Sequence, residues 1–327
     1  MNTEFLVETS ENLLRLDLFL AKRFPDISRA EWKRRIQNNE VLVNQKRCNK
    51  SDSVCEGQII KILCPNSLIP NSIQPNPTLN IQVLFQDAHI IAVNKSPNTP
   101  SHPLQLSETN TTANGIAAIA PEFAHIGTNA REGGLVHRLD NQTSGVLIAA
   151  KTSEAYEKLR TEISDANSIK EYLAIVIGEV PSPFDVHFPI SHHSTVPKKM
   201  VAVGSDSDDS LQKSHRGTPR EAHSRVTIME KFPNHTLVSV KISQGQRHQI
   251  RVHLAAAGFP ICADTLYQSA SNRVQDQSKM ERHALHSFHT TFKHPITGEQ
   301  LSIQAPLPAD FVASLQHLRL LQHLPSP

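Results

Sequence analysis

Gly133-Gly134-Leu135-Val136-His137-Arg138-Leu139-Asp140-Asn141-Gln142-Thr143-Ser144-Gly145-Val146-Leu147-Ile148 is the stretch that organises the chain. Two glycines lead into a short apolar strand at Leu135-Val136, a polar loop follows, and a second apolar strand from Gly145 to Ala150 leaves it. Asp140 therefore falls in a loop at strand ends, where reactive groups are commonly held on a rigid scaffold. An aspartate in a loop is more often a turn former bonding its own backbone. The same tripeptide recurs at Arg15-Leu16-Asp17 in a helical setting without such a loop, so Arg-Leu-Asp alone decides nothing.

Working outward, apolar strands are predicted at Ile81 to Phe85 and His89 to Val93, followed by a polar loop through Pro97, Pro100 and Pro103. Downstream, a helix from Glu154 to Ser164 takes Ser153 as its cap. Further strands fall at Tyr172 to Val180, Arg225 to Met229 and Thr236 to Ile242. Gly204 to Gly217, with Asp206, Asp208 and Asp209, is polar and aperiodic and reads as a surface loop. A helix from Arg247 to Ala257 stops at Gly258 with Pro260 behind it. Long strands with few helices between them give an α+β body on a mixed, largely antiparallel sheet, occupying residues 80–327.

Residues 14–63 read as a small α/β unit of their own. Two helices, Leu16 to Arg23 and Ser28 to Asn38, precede short strands at Val41-Leu42-Val43 and Ile59 to Ile62. Ser28 can cap the second helix, with Glu31 in its first turn. Arg29 and Lys33 lie one turn apart with Arg34 and Arg35 beside them, whereas Trp32 and Ile36 share the other face. One side packs and the other is basic. Cys64 to Leu79 carries Pro65, Pro70, Pro75 and Pro77 among Asn and Ser, a linker composition.

With 327 residues, 20% charged and 38% hydrophobic, the chain has an ordinary globular balance and room for two domains. A net charge of +2 says little about partners, so local cation clusters carry that argument. The acidic start, Met1 to Glu8, lacks the basic region of a secretory signal, and no stretch approaches about 18 uninterrupted apolar residues. A cytoplasmic protein without a membrane span is expected. Cys48, Cys55, Cys64 and Cys262 show no C-x-x-C pairing and read as reduced structural thiols.

The run from His137 to Gly145, His-Arg-Leu-Asp followed by Thr-Ser-Gly, resembles the signature of RluA-type pseudouridine synthases. Lys170-Glu171-Tyr172-Leu173-Ala174 is similar to that family's Lys-x-Tyr strand. Gly245 to His253 is similar to its His-Gln-Ile-Arg helix, which Gly258-Phe259-Pro260-Ile261, Asp264 and Tyr267 continue. The closing segment through Leu285-His286, Phe292, His294-Pro295 and Ala305 to Pro308 also resembles the family. The order of elements in residues 14–63 resembles the ribosomal-protein-S-four-like RNA-binding domain, a module that grips structured RNA by shape and phosphate charge.

The resemblance implies Asp140 as the catalytic carboxylate, Tyr172 as the aromatic group against the target uracil, and Arg251 as the cation paired with Asp140. Breaking the N1 glycosidic bond, turning the base and joining C5 to the sugar needs an anion near C1′ that can attack or take a proton. A stacking aromatic suits a base drawn out of its helix. His137, Arg138, Lys170 and His248 are expected to touch substrate, Arg29 and Lys33 to meet RNA phosphates, and Lys95 to act in support. The isomerisation consumes no cofactor or metal in this family, and a monomer is the default.

The chain departs from the family at Asn94-Lys95-Ser96-Pro97-Asn98, where Asn-Lys-Pro-x-Gly is usual, at Ala263, where a Gly precedes the Asp, and at Gln246-Arg247, where Arg-Thr is common. Losing Pro and Gly is expected to alter loop geometry rather than remove a reacting group.

A Ser/His/Asp hydrolase built on Ser144 lacks the Gly-x-Ser-x-Gly elbow. His283, His286, His289 and His294 lack an H-E-x-x-H helix or a Cys partner, so they read as packing or surface residues. No phosphate loop of G-x-x-x-x-G-K-[ST] form occurs. Large-subunit ribosomal RNA is the implied target. A synthase acting on transfer RNA and a non-catalytic RNA-binding or ribosome-assembly factor are the alternatives, and an Asn at position 140 would have favoured the latter.

Overall fold

The computed structural model describes residues 3–25, 27, 29–63, 72–164, 168–204 and 215–322. These group into two compact units, one from residues up to 80 together with 102–134, the other from 81–101 together with 135 onward. Ser28, the expected cap, lies outside the described residues, as do 64–71 of the expected linker and 205–214 of the expected loop.

In the first unit, β1 (Thr3–Leu6), β2 (Val41–Val43), β3 (Lys46–Arg47) and β4 (Ile59–Ile62) form an antiparallel sheet in the order β1-β4-β2-β3. Helices α1 (Leu16–Arg23) and α2 (Arg29–Gln37) cover it. Leu16, Phe19 and Leu20 pack with Trp32 and Ile36, as the i, i+4 spacing requires, and Val41, Ile60 and Ile62 close the core from the sheet. Arg35 is not part of the basic surface: it is buried, with its guanidinium 5.7 Å from the Trp32 ring centroid.

Arg29 donates to the fully buried Asp17 at 2.9 Å, Arg15 joins at 3.2 Å and Lys33 stands 3.8 Å away. Burial would raise the Asp17 pKa, but hydrogen bonds from Arg29 and Arg15 overcome this and hold it low. The tripeptide at 15–17 thus anchors a cluster of cations and leaves the patch net positive.

The same unit includes α3 (Thr112–Ile119), where Thr111 and Asn114 form a reciprocal cap. Buried Asn114 also donates to Gln74 O at 2.7 Å, and Asn76 donates to Thr109 O at 2.9 Å, so the described end of the Pro-rich stretch is tied to this segment. Gly133 takes φ 55°, and a Cβ there would lie 2.9 Å from the Phe123 ring and 3.0 Å from Ile73.

The second unit is built on a nine-stranded sheet, with strands β5 (Gln82–Gln86), β6 (Ile90–Lys95), β7 (Ser144–Ala150), β8 (Ile169–Ile177) and β9 (Phe184–Val186). A separate three-stranded sheet, β11-β10-β12, joins β10 (Ile190–His193), β11 (Met200–Ala202) and β12 (His215–Arg220). The large sheet is completed by β13 (Ser224–Phe232), β14 (His235–Ile242), β15 (Leu285–Lys293) and β16 (Gln300–Gln304), in the order β5-β6-β7-β15-β8-β14-β13-β9 with β16 beside β15.

Every pairing in the large sheet is antiparallel except β7 with β15, where Ser144 faces His286 and Gly145 faces Ser287. The mixed, largely antiparallel α+β architecture is as the strand spacing predicted. Helices α4 (Ser153–Ser164), α5 (Gln249–Ala256), α6 (Ala270–Gln275) and α7 (Ala309–Gln322) complete the unit.

Local expectations shift in four places. Leu135 makes only an isolated bridge to Ala149, so no strand forms at 135–136. The α4 cap is Thr152, whose Oγ1 accepts from Ala155 N at 3.3 Å, because the helix begins at Ser153. His215 to Gly217 belong to β12 instead of the loop. Helix α5 starts at Gln249, two residues late, since His248 takes the left-handed φ of 55°. Its end is the expected one: Gly258 at φ 87° donates to Ala255 O, and Phe259 donates to Leu254 O.

Gly145 sits where β7 meets β15. Its φ is 112°, and an added Cβ would stand 2.1 Å from Ser287 O. Backbone on the neighbouring strand cannot swing aside as a side chain can. Gly145→Ala is expected to cost about 4 kcal/mol or more and lower Tm by roughly 10 °C, read by differential scanning calorimetry. A shift of under about 2 °C would show that the two strands can part.

Candidate active site

The loop carrying Asp140 is held at nearly every residue. The Ser101 hydroxyl accepts from Leu139 N at 3.0 Å and donates to Leu139 O at 2.9 Å. Lys95, 0% exposed, donates to Asn141 O at 2.9 Å and to the carbonyls of Ser96 and Thr99 at 2.9 and 2.7 Å. Arg282 donates to Gln142 O at 2.8 Å while its Nε and Nη2 grip Asp310 at 2.7 and 3.1 Å. Thr143 Oγ1 lies 2.8 Å from His283 Nε2. Three consecutive backbone carbonyls or hydroxyls therefore end on buried groups, which fixes the loop where flexible surface attachment would not.

Burial pulls the Lys95 pKa down to about 7, aided by the Arg282 charge and opposed by Asp140. Its three carbonyl acceptors match the three donors of an ammonium group, and they favour the charged form. Asn98 and Ala263 both take left-handed φ, 58° and 54°. Both residues thus adopt a backbone that glycine favours. Ala263 is also held by donation to Asp276 at 2.6 Å.

On the opposite side, α5 aims Arg251 at two carboxylates. Its Nε and Nη2 form a fork on Asp264 at 2.7 and 2.9 Å, and Nη1 reaches Asp140 Oδ2 at 2.8 Å. Asp264 is 1% exposed and Asp140 28%. Arg251 also lies 5.1 Å from the Tyr267 ring centroid. Asp264 and Tyr267 carried no assigned role in the sequence, and the fork explains both: one orients the guanidinium and the other lies against its face.

Burial tends to raise the Asp140 pKa, but the positive field of His248 and Arg251, the Arg251 hydrogen bond and the field of His283 more than offset it. His248 and His283 are themselves pushed down by burial, to about 4 and about 3. Both are uncharged at neutral pH, so Arg251 is the cation that keeps Asp140 ionised there.

Tyr172 lies on β8, 8% exposed, with its phenol pushed up to about 12 by burial and by the Asp140 charge, against the Ser287 hydrogen bond. It meets any ligand as a neutral phenol. Arg138 is exposed and makes no hydrogen bond or ion pair among the described residues. His248 Nε2 is 3.7 Å from Asp140 Oδ1.

Two of the residues expected to touch substrate hydrogen-bond backbone in this structure. His137 Nε2 accepts from Ile148 N at 3.0 Å, and burial together with the Lys170 charge pushes it down to about 3. Lys170 is buried and donates to Ile163 O at 2.6 Å, to Ser168 and to Ser243 O. Burial lowers its pKa to about 8. Each side chain hydrogen-bonds backbone groups, and Ile163 O also accepts from Ser168 Oγ at 3.1 Å.

His283, His286 and His294 are buried packing residues, and Cys48, Cys55 and Cys262 are free thiols. His235, Cys262 and Asp276 converge closely enough to hold a metal, yet His235 bonds Pro233 O through Nδ1 and accepts from Gln277 N through Nε2, so both ring nitrogens are occupied. Among the described residues no helix is long and apolar enough to cross a membrane.

Comparison with known proteins gives this geometry its setting. Residues 14–60 match the S4 domain, and residues 89–256 match the family described as RNA pseudouridylate synthase. The ribosomal large subunit pseudouridine synthase D of Neisseria meningitidis serogroup B is 31% identical over 314 residues, covering 94% of this chain and 79% of that protein. The protein of the same name from Escherichia coli is 32% identical, covering 95% and 93%. Among solved structures, human RNA pseudouridylate synthase domain containing 4 aligns with a TM-score of 0.56 and 25% identity over 73% of this chain and 93% of that one. Domain containing 1, at 22% identity over 78% and 100%, shares the fold with a TM-score of 0.57. With its Asp140 loop, its Arg251 fork and both profile matches in chain order, the chain belongs to the RNA pseudouridylate synthase family.

Proposed function

We propose that this enzyme converts specific uridines of large-subunit ribosomal RNA to pseudouridine, acting as a cytoplasmic monomer, with Asp140 as the catalytic carboxylate. The observation that carries the assignment is the asymmetry of Asp140: Oδ2 is bound by Arg251 at 2.8 Å, and Oδ1 has no partner within hydrogen-bond distance among the described residues. An ionised oxygen left open in a largely enclosed site is what attack at C1′, or proton removal from the sugar, requires. Tyr172 stacks on the extruded base as a neutral phenol, and exposed Arg138 enters the duplex or holds phosphate.

In this reading residues 14–63 deliver the RNA and 80–327 perform the isomerisation. Arg29 and Lys33, gathered on Asp17, supply positive charge on α2, and Arg47 and Lys50 line a concave surface beside it with Gln37 and Asn49. The ribosomal target rests on the names of the relatives and on this RNA-binding unit. Tritium release from transcripts labelled at uridine C5 tests it. Release from large-subunit RNA at a rate at least tenfold above that from transfer RNA is expected, and the reverse order would move the substrate to transfer RNA.

A further inference from the structure

His248 is an αL residue with a β-carbon, a strained arrangement, and it stands immediately before the first turn of α5. What the strained backbone secures is the direction of the imidazole. Its ring meets Tyr267 edge-on at 5.8 Å, with Nδ1 2.9 Å from the phenol oxygen. That oxygen already accepts from Met200 N at 2.9 Å. The phenol is neutral, because burial raises its pKa above the ordinary tyrosine range. Among the described residues its proton has one acceptor, His248 Nδ1. A phenol that donates to Nδ1 makes it the bare nitrogen and leaves the hydrogen on Nε2. Lys199 and Arg251, 5.7 and 5.1 Å from the Tyr267 ring centroid, strengthen the phenol as a donor.

Taking Asp140 as the catalytic carboxylate, we propose that Tyr267 and His248 form a proton-ordering pair in which His248, a positioning residue, presents a neutral Nε2–H to Asp140 Oδ1 and sets which oxygen faces the ribose.

Each alternative state of the ring would harm that oxygen. An imidazolium would bind Oδ1 as an ion pair and tie up the oxygen that must react. The opposite tautomer would set a nitrogen lone pair against an anion. Burial, with the charges of Arg251 and Arg247, keeps the ring uncharged against the pull of Asp140 and Asp264. At 3.7 Å the N–H is too far to saturate Oδ1 but near enough to orient it. Arg251 on one oxygen and a weak, uncharged donor beside the other leave the carboxylate one reactive lone-pair direction.

Two measurements decide the matter, and both use the full chain. The first is nitrogen-15 correlation spectroscopy of the His248 ring between pH 5.5 and 8. A single Nε2–H tautomer is expected, collapsing to a mixture in Tyr267→Phe. An Nδ1–H ring in the wild type overturns the proposal.

The second compares substitutions on uridine-labelled large-subunit RNA transcripts. His248→Ala is expected to lower kcat about a hundredfold with KM within threefold. His248→Gln, whose amide reaches the Nε2 position, should recover to within about tenfold of wild type, whereas His248→Asn, too short to reach it, should not. A merely structural role predicts the opposite order, because Asn tolerates the left-handed backbone better than Gln. Asn equal to or better than Gln therefore overturns the proposal. Full activity in all three variants, with Asp140→Asn inactive, would remove the pair while sparing Asp140. Activity surviving in Asp140→Asn would instead remove the assignment on which the pair depends.

Discussion

Asp140→Asn is expected to fold, bind RNA and turn over nothing measurable, a loss of at least about 10⁴-fold in single-turnover rate. The amide keeps the volume and one oxygen that can still accept from Arg251 Nη1, and Arg251 keeps its fork on Asp264. Stability should therefore change by no more than about 1 kcal/mol. What is lost is the charge on Oδ1, and nothing nearby can replace it. Tyr172 is a neutral phenol, and Asp264 is committed to the guanidinium.

The same geometry fixes the acid limb of the wild-type profile. Because the folded pKa of Asp140 is below its ordinary 3.8, the anion persists above that value. It is lost only as the pH falls through the lowered folded pKa, and its contribution to stability is lost in the same window. A rate that halves near pH 6 would place the essential base elsewhere. Substantial turnover by the Asn variant, measured as tritium release, would remove Asp140 from the chemistry altogether.

Arg251→Met should damage both stability and activity. It strips the fork from a carboxylate that is 1% exposed and the hydrogen bond from another that is 28% exposed, and it leaves the two facing each other. Breaking a buried pair from one side costs about 3–5 kcal/mol, which corresponds to a fall of roughly 10 °C in Tm.

The pH dependence supplies a check that simple loss of packing would not produce. Without the guanidinium, burial raises the Asp140 pKa in the folded state, so the variant holds more protons folded than unfolded. Its stability should then fall as the pH rises from 5 to 8. Urea titrations at the two pH values measure this, and equal midpoints would show that the carboxylates find other partners. Arg251→Lys should recover little, since one ammonium cannot form the fork and reach Asp140 together.

The parts of the molecule that follow from chain periodicity could be read in advance: the α+β class, the positions of β2, β4 to β8, β13 and β14 to within a few residues, and the packing of Trp32 and Ile36 on one face of α2. The cluster of Asp140, Tyr172 and Arg251 was also visible, because three motifs occurred in family order. Roles that depend on which buried backbone groups lack partners could not be seen. Lys170 and His137 have the charge and ring nitrogen of substrate contacts, yet one spends its donors on Ile163 and Ser243 carbonyls and the other its lone pair on Ile148 N.

Arg282 and Asp310 escaped notice for a related reason. Nothing local distinguishes an arginine that will cross to Gln142 from one that faces water. His248 shifted the start of α5 because its left-handed φ serves the ring nitrogen rather than the helix, and helix propensity carries no signal for that. Asn98 and Ala263 likewise take a left-handed φ that glycine favours and that their residue types do not announce.

The catalytic loop is anchored by residues far ahead of it in the chain: Arg282 and His283 reach back 140 residues to Gln142 and Thr143, and Arg282 is itself held by Asp310. During synthesis the segment bearing Asp140 leaves the ribosome with Lys95 and Ser101 already made but before Arg282 and His283 exist, and at 5–20 residues per second that interval is on the order of ten seconds. For that time β7 has no β15 beside it and the loop has no Arg282, so the nascent chain carries Asp140 without the full set of contacts that holds it. Closing such distant contacts also slows folding, since long loops must be ordered before they are repaid in contacts. A product truncated before residue 282 would carry Asp140, Tyr172 and Arg251 yet lack the Arg282 and His283 contacts to the loop.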